Sequence, residues 1–161
     1  MAYYFFMVIE CGRIDKDAEA VAGHFDNMPL KLADGLETFC SAGTYQDIEN
    51  NYWCTVFPTG VNYASPDGSD HKMTDEPHVT EIALLLYQKL RTAPPFRYAL
   101  AGWEPQDFAL FSELDQDVLQ MNGIVISQDV FDGLDGTAKD LECFGADYLW
   151  KPYRGEKIFG K

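Results

Sequence analysis

The arrangement in this sequence that comes nearest to catalytic chemistry is an acidic pair beside a tryptophan. Glu104 and Asp107 follow Trp103 along the chain. A carboxyl group packed against an indole loses hydration, which raises its pKa and suits it to act as a general acid. Glycoside hydrolysis uses two carboxyl groups of this kind together with aromatic platforms. One hypothesis is therefore a small hydrolase using Glu104 or Asp107, although 26 acidic residues also produce neighbouring pairs by chance.

Patterns typical of nucleophilic catalysis and of nucleotide binding are missing from the sequence. No serine lies in a Gly-x-Ser-x-Gly elbow, and the three histidines have no spacing that requires a Cys–His pair. The glycines are scattered singly and form neither of the two common phosphate-binding loops. We therefore predict no cofactor, and we favour a binding function over an enzymatic one.

Two polar stretches could supply oxygen ligands to a metal ion. Residues 67–71 gather two aspartates, a serine and a histidine, and the run from 129 to 140 contains four aspartates. Neither matches a calcium-binding loop, because Phe131 and Leu134 stand where further oxygen ligands are needed. Asp, Gly and Ser are also the ordinary composition of a surface turn. The sequence therefore predicts no metal site.

Acidity is the strongest compositional signal. The net charge is −14, and residues 104–147 contain eleven carboxylates against one base, Lys139. Such a field attracts basic ligands and repels nucleic acid and anionic lipid. No basic stripe of the kind that phosphate contacts require is present. We expect neither nucleic acid nor a membrane as partner, and a basic protein fits the charge best.

A candidate partner-binding face combines acids with aromatic anchors. It consists of Asp129, Asp132 and Asp135, with Trp103 and Trp150 as the anchors. Long-range attraction would steer a basic partner to this face, and the aromatic side chains would hold it. The hypothesis is an inhibitor or immunity-type protein that covers a basic active-site cleft, for instance that of a nuclease. The competing explanation is that the charge keeps an acidic domain soluble.

Length and composition predict one folded domain spanning residues 1–161. Apolar residues make up 47% of the chain and aromatic residues 14%, which argues against disorder. Strands and helices alternate only loosely, and one predicted strand pair has no helix between its members. We therefore predict an α+β fold, with a mixed or largely antiparallel sheet packed against one main helix (about residues 75–91) plus short helices.

The main helix is the clearest local prediction. Val79, Ile82, Ala83, Leu86 and Leu90 recur at the spacing of one buried helix face. Residues 27–45 resist assignment, and residues 58–75 have the composition of a long loop. The predicted strands are 3–9, 52–57, 96–103, 123–126 and 148–153. Pro152 either places the last of these strands at an edge of the sheet or ends it. The other predicted helices are 15–24, 128–134 and one from Thr137 to near Gly145.

The cysteines and the N-terminus indicate a compartment. The four cysteines are irregularly spaced, form no C-x-x-C pair and are predicted to be free thiols. Residues 1–9 are apolar, but they are too short to span a bilayer and lack the basic start of a signal peptide. The sequence therefore favours a cytoplasmic protein. No feature of the sequence indicates the oligomeric state.

Overall fold

Nine strands form one sheet over residues 3–63, 76–134 and 140–155, which are the residues that the computed structural model describes. Every strand pair is antiparallel. The strands are β1 (Tyr3–Gly12), β2 (Pro29–Lys31), β3 (Glu37–Gln46), β4 (Tyr52–Pro58), β5 (Asn62–Tyr63), β6 (Tyr98–Trp103), β7 (Val125–Ser127), β8 (Glu142–Gly145) and β9 (Tyr148–Trp150).

The strand order places β1 near the centre of the sheet. Eight strands follow the order β2-β3-β4-β1-β6-β7-β9-β8, and β5 pairs with the start of β1. The aromatic and β-branched residues predicted as a strand from Tyr3 continue to Gly12. With helices packed on this sheet, the predicted α+β class is confirmed.

Side chains of β1 alternate between two buried faces of the sheet. Phe5, Met7 and Ile9 enter one core, whereas Phe6 and Val8 enter another. This is the alternation expected of a strand covered on both faces. We call the first face the helix side and the second the cover side.

Two long helices cover the helix side. They are α1 (Asp15–Phe25) and α2 (Glu76–Leu90). The stripe predicted for the main helix is confirmed: Val79, Ile82, Ala83, Leu86 and Leu90 are all buried. The helix begins and ends within one residue of the predicted bounds.

An irregular segment after β6 covers part of the other face. It contains two 3₁₀-helices, Pro105–Asp107 and Phe111–Glu113, followed by α3 (Gln116–Leu119) and, beyond β7, α4 (Gln128–Asp132). Its apolar side chains Ala109, Leu114 and Leu119 are buried against Phe6, Val8 and their neighbours. This packing forms a second, smaller core.

Residues 27–45, which carried no prediction, form a strand pair. Asn27 has a φ of 60°, and its backbone N–H donates to the carbonyl oxygen of Cys40 at 2.9 Å. This turn starts β2, which pairs with the first three residues of β3. Asparagine tolerates the left-handed conformation better than most residues, which suits it to this position.

The helix predicted from Thr137 to near Gly145 is wrong over its described part. Residues 142–145 form β8, which pairs with β9 through a turn in which Asp147 adopts a φ of 66°. The proposed cap at Thr137 lies outside the described residues. β9 also lies inside the sheet, between β7 and β8, so Pro152 follows the strand and does not mark an edge.

The segment predicted as a long loop is described only at its start. Asn62 and Tyr63 pair with Tyr4 and Tyr3 of β1. Residues 64–75, which include the polar stretch at 67–71, lie outside the described residues. Within the described ranges, no helix is both long enough and apolar enough to cross a bilayer.

Candidate functional site

Part of the cover side is left open and forms a groove. Two adjoining cavities, of about 620 and about 500 Å³, share Tyr45 and Gln106 in their walls. We call them together the aromatic groove. Its aromatic lining consists of Tyr4, Phe6, Tyr45, Trp53 and Phe57. Three carboxylates, those of Asp47, Glu104 and Glu113, also line it.

Strand pairing assembles the aromatic lining. Tyr45 of β3 lies directly opposite Trp53 of β4, and their rings are nearly parallel with centroids 6.0 Å apart. The rings of Phe6 and Phe57, on neighbouring strands, stack at 4.3 Å. Tyr4 meets Phe57 edge-on and is 45% exposed, so its ring is available to a ligand. Phe6 and Trp53 are buried and form the base of the groove.

Asp47 is fixed at one end of the groove by three hydrogen bonds. Its Oδ2 accepts from the indole nitrogen of Trp53 at 2.7 Å. Its Oδ1 accepts from the backbone N–H groups of Glu49 and Asn51 at 2.8 and 3.0 Å. Hydrogen bonds to charged groups are stronger than those between neutral groups, so this turn holds both the carboxylate and the indole in place.

Glu104 and Glu113, which belong to the irregular segment after β6 (the cover segment), are also held by hydrogen bonds. Glu104 has a φ of 50°; its Oε1 accepts from the backbone N–H of Tyr4 at 2.9 Å, and its Oε2 accepts from the side-chain amide of Gln106 at 3.0 Å. Oε1 of Glu113 accepts from the backbone N–H of Leu110 at 2.7 Å. These acids therefore shape the groove as well as charging it.

A buried ion pair supports the cover side next to the groove. Glu10 is fully buried, and both of its carboxylate oxygens accept hydrogen bonds from Arg97. The guanidinium lies 3.8 Å from the ring centroid of Phe111. Partial burial lowers the pKa of Arg97, but its hydrogen bonds and attraction to Glu10 outweigh this effect and raise that pKa above its ordinary value. The pair thereby clamps the segment carrying Phe111 onto the sheet.

Tyr98 of β6 also holds this segment against the sheet through a hydrogen bond. Its hydroxyl donates to the carbonyl oxygen of Ala109 at 2.8 Å. Burial raises the pKa of Tyr98, and the negative charge of Glu10 raises it to a smaller extent. The hydroxyl therefore stays protonated and can donate this hydrogen bond. The groove therefore has a rigid wall on the side of the 3₁₀-helices.

The predicted catalytic pair is not assembled around Trp103. The indole of Trp103 is 3% exposed and packs edge-on against Phe5 on the helix side, with ring centroids 5.5 Å apart. Glu104 lines the aromatic groove, on the cover side. The side chain of Asp107 is outside the described part of the structure. Trp103 therefore does not provide an aromatic platform for Glu104 in this groove.

The residues of the predicted partner-binding face are dispersed. Asp129 and Asp132 are exposed on α4, and Asp135 lies outside the described residues. Trp103 is buried, and Trp150 is half-buried with its ring 5.1 Å from that of Phe144. Neither tryptophan joins the aspartates as an open aromatic anchor. Binding of a partner to Asp129 and Asp132 stays a prediction.

Metal-binding geometry is missing from the described ranges. There, no three His, Cys, Asp or Glu side chains come close enough together to hold an ion. His78 and Asp34 form a pair at 2.6 Å, and this hydrogen bond lowers the pKa of Asp34. We find no donor set in these ranges that fits a metal.

Among the groove residues, the sequence singled out only Glu104 as a candidate, although it held one signal for the aromatic lining. The predicted strand at 52–57 follows Asn50 and Asn51, and asparagine is a common turn residue. A hairpin around that turn would have placed Tyr45 opposite Trp53, as observed. The signal was lost because residues 27–45 carried no strand prediction.

Comparison with protein-family models, with curated proteins and with solved structures found no match to this chain.

Proposed function

We propose that this chain is a protein-binding module whose aromatic groove takes a basic segment of a partner protein. One observation carries the proposal. Five aromatic side chains and three carboxylates line the groove, and no Lys or Arg among the described residues joins them. Aromatic rings beside carboxylates suit the side chains of arginine and lysine.

The chemistry of the groove favours a guanidinium or ammonium group over a neutral ligand. A cation over an aromatic face gains about 0.5–1 kcal/mol at an exposed site and about 2 when water is excluded. Glu113 engages the backbone through Oε1 only, as far as the described contacts go, which leaves Oε2 to accept from a ligand. The stems of Arg and Lys are apolar and can pack on the ring of Tyr4.

Charge on the whole chain supports the same class of partner. A net charge of −14 speeds the encounter with a basic surface and slows it with an acidic one. An inhibitor or immunity-type protein covering a basic cleft, such as that of a nuclease, is the form of the proposal that we favour. We place the encounter in the cytoplasm, where free cysteines persist.

One observation favours the hydrolase alternative, because Glu104 lines the groove that has Trp53 at its base. The hydrogen bonds of Glu104 weigh against it. Both oxygens of Glu104 already accept hydrogen bonds that hold Tyr4 and Gln106 in place. A general acid must instead carry a proton that it can deliver to a substrate.

The test pans two displayed libraries of short random peptides, one enriched in Arg and Lys and one enriched in Asp and Glu. The targets are the wild-type protein and the variants Tyr4→Ala and Glu113→Gln. The glutamine keeps an acceptor for Leu110 and removes the charge. Matched controls on the helix side of the molecule are Leu84→Ala and Glu19→Gln, because Leu84 is 47% exposed on α2 and Glu19 is exposed on α1.

We expect the wild type and both controls to enrich basic peptides, and both groove variants to lose at least about tenfold in affinity for them. Recovery should also weaken between 0.01 and 0.15 M salt, as the Debye length falls from about 30 to about 8 Å. Equal recovery from the two libraries would overturn the proposal, and so would groove variants that behave like their controls.

A further inference from the structure

The outer edge of β3 lacks a partner strand in its last residues. β2 pairs only with Glu37 to Phe39, although β3 continues to Gln46. The next backbone groups are occupied, because Cys40 exchanges hydrogen bonds with Asn27 and Met28. The N–H of Ala42 donates to Oδ1 of Asp26 at 3.1 Å. Beyond Ala42, no strand among the described residues pairs with this edge.

Strand alternation shows which backbone groups point outward. Cys40 and Ala42 direct their N–H groups away from β4, so Thr44 and Gln46 must do the same. The pairing of β3 with β4 is regular from Cys40 to Gln46, without a bulge that would reverse this direction. The carbonyl of Ala42 and the N–H and carbonyl of Thr44 therefore face outward beside the groove residue Tyr45.

Beyond Ala42, whose N–H is covered by Asp26, this edge lacks the features that usually prevent strand addition. Natural sheets protect their edges with charged side chains, prolines or bulges. Residues 41–46 are Ser, Ala, Gly, Thr, Tyr and Gln, so they include no charged residue and no proline. At the opposite edge of the sheet, β8 begins with a glutamate and has an irregular register between Cys143 and Gly145. By contrast, the edge of β3 beside the aromatic groove has a regular register up to Gln46, and its own side chains there are uncharged.

We infer that the basic partner segment binds as an extended strand added to the free edge of β3 at residues 42–46. The inference rests on the proposed function and gives it a binding mode, in which backbone hydrogen bonds supply affinity and side chains supply specificity. Every second side chain of the added strand lies on the cover side next to Tyr45, within reach of the groove. The segment therefore carries Arg or Lys at alternate positions.

Charge selects a basic segment over a second copy of this chain. Pairing two copies edge to edge would bring two chains of net charge −14 together. Repulsion of this size keeps acidic proteins apart at low salt. A basic strand gains from the same field.

The test compares Thr44→Pro with Thr44→Ala in the panning experiment with the basic library. Proline removes the outward N–H and its ring blocks the edge, and it breaks no bond to β4 because the N–H of Thr44 points the other way. We expect the alanine variant to retain basic peptides as well as the wild type, and the proline variant to lose them by about tenfold or more.

Hydrogen exchange on the wild-type protein provides a second measurement, which decides the matter if the proline variant does not fold. In the presence of a peptide from the basic library, exchange of the Thr44 amide should slow at least about tenfold. Unchanged exchange at Thr44 with bound peptide overturns the inference and leaves the proposed function standing. If no basic peptide binds the wild type, the proposed function fails and this inference falls with it. Thr44-dependent self-association in sedimentation would instead assign the edge to a second copy.

Discussion

At the scale of single residues, the cover side depends on a buried charge that one arginine compensates. Glu10 is fully buried at the centre of the sheet, and Arg97 reaches it from the start of β6. Removing one partner of a buried pair leaves the other charge unsolvated, which costs far more than the pair contributes. The energetic role of Arg97 is thus larger than its partly exposed position suggests.

The first prediction concerns Arg97→Met, which should destabilise the fold by about 3–5 kcal/mol because Glu10 is left unpaired. Urea unfolding followed by circular dichroism measures the change. Arg13→Met is the control, since Arg13 is exposed, and it should change the free energy of unfolding by less than about 0.5 kcal/mol. If Arg97→Met changed the free energy of unfolding by a similarly small amount, the ion pair would not stabilise the cover side.

The second prediction concerns the cysteines, all four of which are free in the structure. Burial raises the pKa of Cys40 and of Cys54 to about 12. The pKa of Cys11 is raised mainly by burial and also by neighbouring negative groups, among them Glu10. Because the thiolate is the nucleophile, these three thiols should react slowly at pH 8, whereas exposed Cys143 should react fast.

Mass spectrometry after brief alkylation of the native protein should find one modified cysteine, and alkylation in denaturant without reductant should find four. Cys143→Ser should abolish the fast reaction. A disulfide in the purified protein would contradict both the thiol count and the inferred reducing compartment.

At the scale of elements, the helix with the most buried residues was predicted best, and two strands with one buried residue each were missed. α2 was predicted almost to the residue because six of its side chains are buried at helical spacing. β3 buries only Cys40 among its ten residues, so its sequence carries no alternating pattern. β8 likewise buries only Phe144. Strands near an edge are specified by their neighbours and turns, which a single sequence shows poorly.

The third prediction tests the α2 assignment. Leu86 is fully buried against the sheet, so Leu86→Ala should destabilise the fold by about 2–5 kcal/mol through lost burial and a residual cavity. Leu84→Ala on the exposed side of the same helix provides the comparison, with an expected change below about 0.5 kcal/mol. Equal midpoints in denaturant for the two variants would mean that the helix face is assigned incorrectly.

At the scale of the whole molecule, the acidic segment has a structural explanation as well as a functional one. Its apolar residues Leu114 and Leu119 cover the sheet, while acids such as Asp129 and Asp132 are exposed and others cap helices. Asp115, for example, accepts from the backbone N–H of Val118 at 3.0 Å. The acidity of residues 104–147 could therefore be read from the sequence, but the groove could not. Its members come from β1, β3, β4 and the cover segment, and only strand pairing brings them together.

The location of the bound basic peptide tests the central claim most directly. The three tryptophans give three indole N–H signals in a ¹H–¹⁵N spectrum, and they report on different places. The indole of Trp53 donates to Asp47 in the aromatic groove, whereas Trp103 and Trp150 pack on the helix side. On titration with a selected basic peptide, we predict that the Trp53 signal shifts in a saturable way and that the other two stay in place. Movement of the Trp150 or Trp103 signal with a stationary Trp53 would contradict the account.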